Sequence, residues 1–179
     1  MEYNEIIKKL KKKIFSPIYL LMGEEPYFMD ILTDYFEDNI LTEEEKDFNL
    51  TVVYGKDTDS RTIINYSKRF PMMSSEIQIV IVKEAQELKD IEELLHYAES
   101  PLPSTILVIS HKYKNLDKRS KLYKKILEKG EVFESKCIQE SKIPEWINKE
   151  LQSGDYSINP NAASMLNEFL GNDLGKISN

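Results

Sequence analysis

Cysteine is almost absent from this chain. Cys137 is the only one in 179 residues, which excludes an intrachain disulfide and any cysteine metal cluster. Histidine is nearly as scarce: His96 and His111 stand alone, with no histidine or cysteine at ligand spacing, so both are read as half-exposed surface or strand-end residues. No metal and no cofactor is expected. Long apolar runs are missing too. No stretch approaches the roughly 18 residues of a spanning helix, and the lysine-rich start has no signal-peptide core behind it. The chain is therefore expected in the cytoplasm, away from membrane. Nor is there an excess of positive charge: 24 Lys+Arg face 31 Asp+Glu, a net charge of −7. That argues against bulk attraction to nucleic acid or anionic lipid.

What is present is a succession of five apolar runs of strand length: Ile18–Met22, Leu50–Tyr54, Ile77–Val82, Thr105–Ile109 and, more weakly, Val132–Glu134. The middle ones, "IQIVIV" and "TILVIS", are nearly unbroken, which suits strands buried on both faces of a parallel sheet. Helical stripes lie between them. Tyr27, Ile31, Tyr35 and Phe36 form one, Leu88, Ile91, Leu94, Leu95 and Ala98 a second, and Leu122, Ile126 and Leu127 a third. Alternation of strand and helix predicts a right-handed α/β sandwich.

The opening segment "EYNEIIKKLKKKIF" places Ile6, Ile7, Leu10 and Ile14 on one face of an amphipathic helix, with a solvated lysine face opposite. In "LDKRSKLYKK", Lys118, Arg119, Lys121, Lys124 and Lys125 oppose only Asp117. A packed helix with a solvated basic face is the favoured reading, and a contact with phosphate or a partner the minority one. After residue 140 the character changes to short helices. One has Pro144 in its first turn, and another runs from an Asn159 cap and Pro160 to Gly171, with Leu166, Phe169 and Leu170 inward. A last segment with Leu174 and Ile177 starts another helix, so the chain is expected to end inside a small helical domain.

The turn after the first strand, "GEEPYFMD", stands where a nucleotide-binding α/β protein cradles phosphate. A working loop needs G-x-x-x-x-G-K-[ST], so that backbone N–H groups, a lysine and a hydroxyl meet phosphate and magnesium. Read from Gly23, the last three positions hold Phe28, Met29 and Asp30, and Glu24 and Glu25 bring negative charge. One carboxylate ~5 Å from a phosphate charge at an effective dielectric of ~20 costs roughly 3 kcal/mol. Lys83 follows the third run where a hydrolase ends a strand with magnesium-binding acids. The structural alternative is simple: Gly23 makes the turn, the glutamates suit the helix N-terminus, and Pro26 sits in the first turn. An active P-loop ATPase of DNA metabolism and a nucleic-acid module using residues 112–125 remain the competing readings, both weaker than a nucleotide-free architecture.

Six stretches, "PIYLLMGEEPYF", "FNLTVVYG", "RFPMMSSEIQIVIV", "PLPSTILVI", "LDKRSKLYKKI" and "NPNAASMLNEFLGNDL", occur in an order that resembles the delta subunit of the bacterial DNA polymerase III clamp loader. The resemblance implies an AAA+/RecA-like, P-loop-type three-layer sandwich over residues 1–140, with a five-stranded parallel sheet and no functional nucleotide site. Residues 141–179 would then be a truncated helical lid, with the collar domain absent. It also implies a non-catalytic subunit of a DNA-directed DNA polymerase holoenzyme. Its partners would be the sliding clamp (beta subunit), the gamma/tau and delta prime loader subunits, and primed DNA within the assembly. In the family an apolar pair before the third strand enters a pocket of the clamp and opens the ring. Met72 and Met73 occupy those places, framed by Phe70 and Pro71. The residues alone leave contact and core packing equally open; the resemblance implies contact. Lys118, Arg119 and Lys121 would be weak DNA or subunit contacts.

Overall fold

Side chains alternate across each strand, and here both faces of every central strand are buried. In "IQIVIV", Ile79 and Ile81 point to one apolar cluster while Val80 and Val82 point to another. The computed structural model describes residues 2–154 and 156–178, and the chain divides into two compact units, residues 1–135 and 136–179.

In the first unit, strands β1 (Ile18–Gly23), β2 (Leu50–Tyr54), β3 (Gln78–Lys83), β4 (Thr105–Lys112) and β5 (Glu131–Ser135) form one sheet in the order β2-β3-β4-β1-β5. Every pairing is parallel, so each connection must cross a face of the sheet. One face buries Ile6 and Leu10 of α1 (Tyr3–Lys11) and Met29, Leu32 and Phe36 of α2 (Pro26–Asn39) against Tyr19, Leu21, Ile81 and Val108. Following α3 (Glu43–Asn49) and β2, the chain turns to the other face. There Ile63 of α4 (Ser60–Ser67), Tyr97 and Ala98 of α5 (Leu95–Ala98) and Leu122 and Ile126 of α6 (Lys121–Lys129) cover Leu20, Val80, Leu107 and Val132. The result is a three-layer α/β sandwich on a five-stranded parallel sheet.

The second unit holds α7 (Ile143–Ser153), α8 (Pro160–Leu170) and α9 (Leu174–Ser178). Ile143, Ile147 and Ala163 form its centre, with Trp146, Leu166 and Ile177 packed around them. Pro144 lies in the first turn of α7, and Asn159 caps α8, accepting from the Asn161 N–H at 2.9 Å.

Several expected core positions differ. On α2 the buried stripe is Met29, Leu32, Thr33 and Phe36, while Tyr27, Ile31 and Tyr35 are only half-buried. Leu127 is exposed because α6 buries Leu122 and Ile126, one turn apart, and the next residue lies about 100° round the helix. Ile14 is exposed beyond the end of α1. Lys13, at φ 56°, closes that helix with its N–H on the Leu10 carbonyl and the Ile14 N–H on the Lys9 carbonyl. This is the paired bonding of a Schellman end, reached without glycine. The stripe from Leu88 to Ala98 is not one helix: 3-10 turns occupy Ala85–Glu87 and Ile91–Leu94, and α-helix covers only Leu95–Ala98. Phe169 and Leu170 are exposed rather than inward, Ala163 taking the central place, whereas Leu174 is buried. His111 is buried too, not half-exposed.

Candidate functional site

Among the described residues of the first unit, the segment between α4 and β3 carries the most exposed apolar group. Phe70 is 74%, Met72 57% and Met73 70% exposed, and Pro71 is half-buried. None of the three large side chains belongs to either core cluster. The loop is nevertheless fixed at both ends by buried amides. Asn49, the last residue of α3, donates from Nδ2 to the Met72 carbonyl at 3.1 Å and accepts the Met72 N–H on Oδ1 at 2.7 Å. Gln78, the first residue of β3, donates its two Nε2 hydrogens to the Arg69 carbonyl and to Thr105 Oγ1, with the Tyr66 carbonyl sharing one of them at 3.3 Å. Thr105 Oγ1 in turn donates to the Ser67 carbonyl at 3.0 Å. Met73 and Ser74 lie in the left-handed region, at φ 53° and 62°. Such residues cost ~1–3 kcal/mol each, and two hydrogen bonds at ~1 kcal/mol each, made by a buried amide, offset a comparable amount.

The turn after β1 is closed on itself. Gly23 has φ 133°, and a Cβ there would lie 2.0 Å from the Ser135 carbonyl oxygen. That same oxygen accepts the N–H groups of Glu24 at 3.0 Å and Glu25 at 3.4 Å. These are donors that a phosphate loop would point at its ligand. The Glu25 carboxylate caps α2, accepting from the Tyr27 N–H at 3.0 Å, and Pro26 is the first helical residue. Phe28 packs 5.4 Å from the Tyr3 ring, and Met29 is fully buried in the core.

Carboxylates on the next turns of α2 meet lysines from the strand ends. Lys112 Nζ lies 2.5 Å from Asp30, and Lys83 Nζ 2.6 Å from Glu37. Asp34 is exposed on α2, and partial loss of its water, with Asp30, Glu37 and Asp38 nearby, holds its carboxyl above its ordinary value against the pull of the Lys83 charge. Burial draws Lys83 down, but its hydrogen bond to Glu37 leaves the ammonium above its ordinary value. Among the described residues no group of three or more His, Cys, Asp or Glu is arranged to hold a metal.

The basic stretch is mostly neutralised. Lys118 pairs with Glu134 at 2.7 Å, and Arg119 grips Asp117 through Nε at 3.1 Å and a second nitrogen at 3.2 Å. Residues 116–120 are not helical; α6 starts at Lys121, capped by Ser120. Lys121, Lys124 and Lys125 face Glu99 and Glu128 across a shallow depression. The turn and the start of the basic stretch adjoin, since Gly23 pairs with Lys112 and bridges Lys114, whereas the loop before β3 belongs to neither.

A family model described as DNA polymerase III, delta subunit, matches residues 19–136. The chain belongs to the DNA polymerase III delta subunit family. DNA polymerase III subunit delta of Bacillus subtilis is 28% identical over 183 residues, covering 97% of this chain and 52% of that protein. Among solved structures, the Bacillus subtilis DNA clamp loader delta protein matches with a TM-score of 0.79 and 26% identity, over 98% of this chain and 55% of that one. A mutant of the Thermotoga maritima RuvB Holliday junction branch migration motor shares the fold alone, with a TM-score of 0.50 and 17% identity, over 93% of this chain and 56% of that one. This delta-family chain spans about half the length of the relatives it matches.

Asn49 and Gln78 were not legible as site residues. Their signal is faint: an asparagine just before an apolar strand, and one glutamine inside "IQIVIV".

Proposed function

We propose that this chain is the clamp-binding part of a clamp-loader delta subunit, and that it binds the sliding clamp and opens its ring during DNA replication. The observation that carries the reading is the exposure of Met72 and Met73 on a braced loop of a delta-family chain. Methionine is flexible and polarizable and fills a partner's pocket well. Phe70 and Pro71 frame the pair. An apolar group left in water at this cost is better explained by a partner than by folding.

The chain acts without binding or hydrolysing ATP. What supports this is that the turn N–H groups donate to the Ser135 carbonyl, Glu25 caps the helix, and Lys112 is engaged by Asp30. The competing ATPase reading has no lysine or hydroxyl at residues 29 and 30 to stand on. Residues 1–140 are read as the nucleotide-free AAA+-like domain and 141–179 as helices of the lid, a boundary five residues beyond the end of the first compact unit at Ser135. Assembly with the gamma/tau and delta prime subunits runs mainly through a collar beyond the half spanned here. Lys118, Arg119 and Lys121 give at most weak contact with primed DNA in the assembly, since two of the three are paired internally. The work is done in the cytoplasm; among the described residues no helix is long and apolar enough to cross a membrane.

Size-exclusion chromatography of the chain with the sliding clamp of its own organism tests the reading. A complex eluting ahead of both components is expected. Independent elution at micromolar concentration contradicts it.

A further inference from the structure

We infer that Asn49 is a positioning residue of the clamp-binding loop: its amide holds Met72–Ser75 in a turn those residues do not favour by themselves. The inference rests on the clamp-binding reading and deepens it.

The turn is defined by the Ser75 N–H donating to the Met72 carbonyl at 3.1 Å, with φ 53° at Met73 and 62° at Ser74. Two positive φ values at the central positions are the signs of a type I′ turn, which strongly prefers Asn-Gly, Asp-Gly or Gly-Gly. A Met-Ser pair has neither the missing Cβ nor the short amide that makes those angles easy. The side chains of Met72 and Met73 are mostly in solvent and give the turn little packing. Its support comes from elsewhere. Asn49 is only 2% exposed and uses both halves of its amide on the one residue Met72, donor to carbonyl and acceptor to N–H. Because Asn49 ends α3 and its neighbour Leu50 begins β2, this clasp is mounted on the sheet. Gln78 holds the upstream carbonyls of Tyr66 and Arg69 through its Nε2 alone.

Without the clasp the turn relaxes to conformations with negative φ, and the two methionines leave the geometry in which they meet a pocket together. Apparent affinity then falls by the fraction of molecules still in the competent turn. The main chain of the loop, not its apolar content, is what Asn49 supplies.

The test compares the parent, Asn49→Ala, Asn49→Asp, and Asn49→Ala combined with Ser74→Gly. Clamp dissociation constants are measured well below each melting temperature, with hydrogen exchange of the Ser75 amide in the free protein. If the competent fraction falls to about a tenth, Asn49→Ala binds the clamp ~10-fold more weakly, and Ser75 exchanges faster. Adding Ser74→Gly, which makes the left-handed angle easy, restores part of the affinity; repair of a merely structural loss would not come from a glycine in the loop. Asn49→Asp keeps the acceptor for the Met72 N–H but turns a second oxygen towards the Met72 carbonyl, so it too binds the clamp more weakly than the parent, and it carries the test if Asn49→Ala does not fold. Parent-like binding by the folded Asn49 variants overturns the inference and leaves clamp binding intact. Weakened binding with unchanged Ser75 exchange and no recovery by Ser74→Gly also overturns it. A parent that does not bind the clamp removes the clamp reading itself, and this inference with it.

Discussion

Lys112, the last residue of β4, reaches Asp30 on the second turn of α2 at 2.5 Å. A P-loop protein has a hydroxyl at the position of Asp30 and directs its positive charge to phosphate. Here the cation is answered by the chain's own carboxylate, and the cradle's N–H groups are answered by Ser135. A triphosphate would have to displace both and approach Glu24 and Glu25. Calorimetry with ATP and magnesium at millimolar concentration is therefore expected to give no saturable heat. A dissociation constant in the low micromolar range would restore the ATPase reading.

Gly23 is the pivot of that closed turn. A Cβ at this position would meet main-chain atoms of Ser135 at 2.0 and 2.8 Å, and φ is 133°. Main chain in the middle of a fold yields little, so both the clash and the strained angle persist. Gly23→Ala is expected to cost ~3 kcal/mol or more, lowering the melting temperature by ~6–12 °C. A thermal melt within about 2 °C of the parent would mean the turn relaxes freely and is not the rigid plug described.

Much of this was open to reading in the sequence. The apolar runs marked the strands most plainly at β1, β3 and β4, because a parallel sheet buried on both faces demands unbroken β-branched residues and "IQIVIV" has no other comfortable place. Turn chemistry was readable where it used its ordinary residues: Pro26, Asn159, Pro160 and Gly171 stand where helices start and stop. It was unreadable where the chain turned without glycine. Among the described residues Lys13, Met73, Ser74, Glu84 and Tyr113 adopt positive φ, and none announces it by type. Lys13 therefore takes Ile14 out of the helix that its spacing predicts. Leu88, Ile91 and Leu94 recur every three residues, a spacing that fits 3-10 turns as well as an α-helix. At the candidate site the apolar pair is visible in the sequence, but whether it faces solvent is not, since the loop is braced by Asn49, 23 residues before Met72, and by an amide inside the next strand, Gln78. The family model over residues 19–136 bears out the resemblance to the delta subunit.

His111 gives the fold a dependence on mildly acid pH. Burial, the largest effect, pushes the imidazole below its ordinary value, and the Lys114 charge adds to this. The ring Nδ1 lies 2.9 Å from the Lys114 carbonyl, which only accepts, so the proton is on Nδ1. With the folded value below the unfolded one near ~6.5, the unfolded chain takes up the proton first as pH falls. Stability contributed by neutral His111 is thus present above about pH 6.5 and is lost as pH falls through the folded value. Asp34, raised by partial loss of water and by neighbouring carboxylates, works with the opposite sign in the carboxylate range. Urea unfolding near pH 7.5 and 5.5 should show a larger loss of stability for the parent than for His111→Gln. Equal losses would mean that His111 does not titrate differently in the two states.

Met72→Ala combined with Met73→Ala tests the account most directly, because contact and core packing give opposite results. Burying each methionine in a partner's pocket contributes ~1.5–3 kcal/mol, so the double variant should bind the sliding clamp ~100-fold more weakly or worse. Its melting temperature should stay within ~3 °C of the parent, since both side chains are mostly exposed in the free chain. The contrary result is clamp affinity retained by the folded protein. Were that joined by a stability loss of ~2–5 kcal/mol per residue, as for buried methionine, both residues would belong to the core instead.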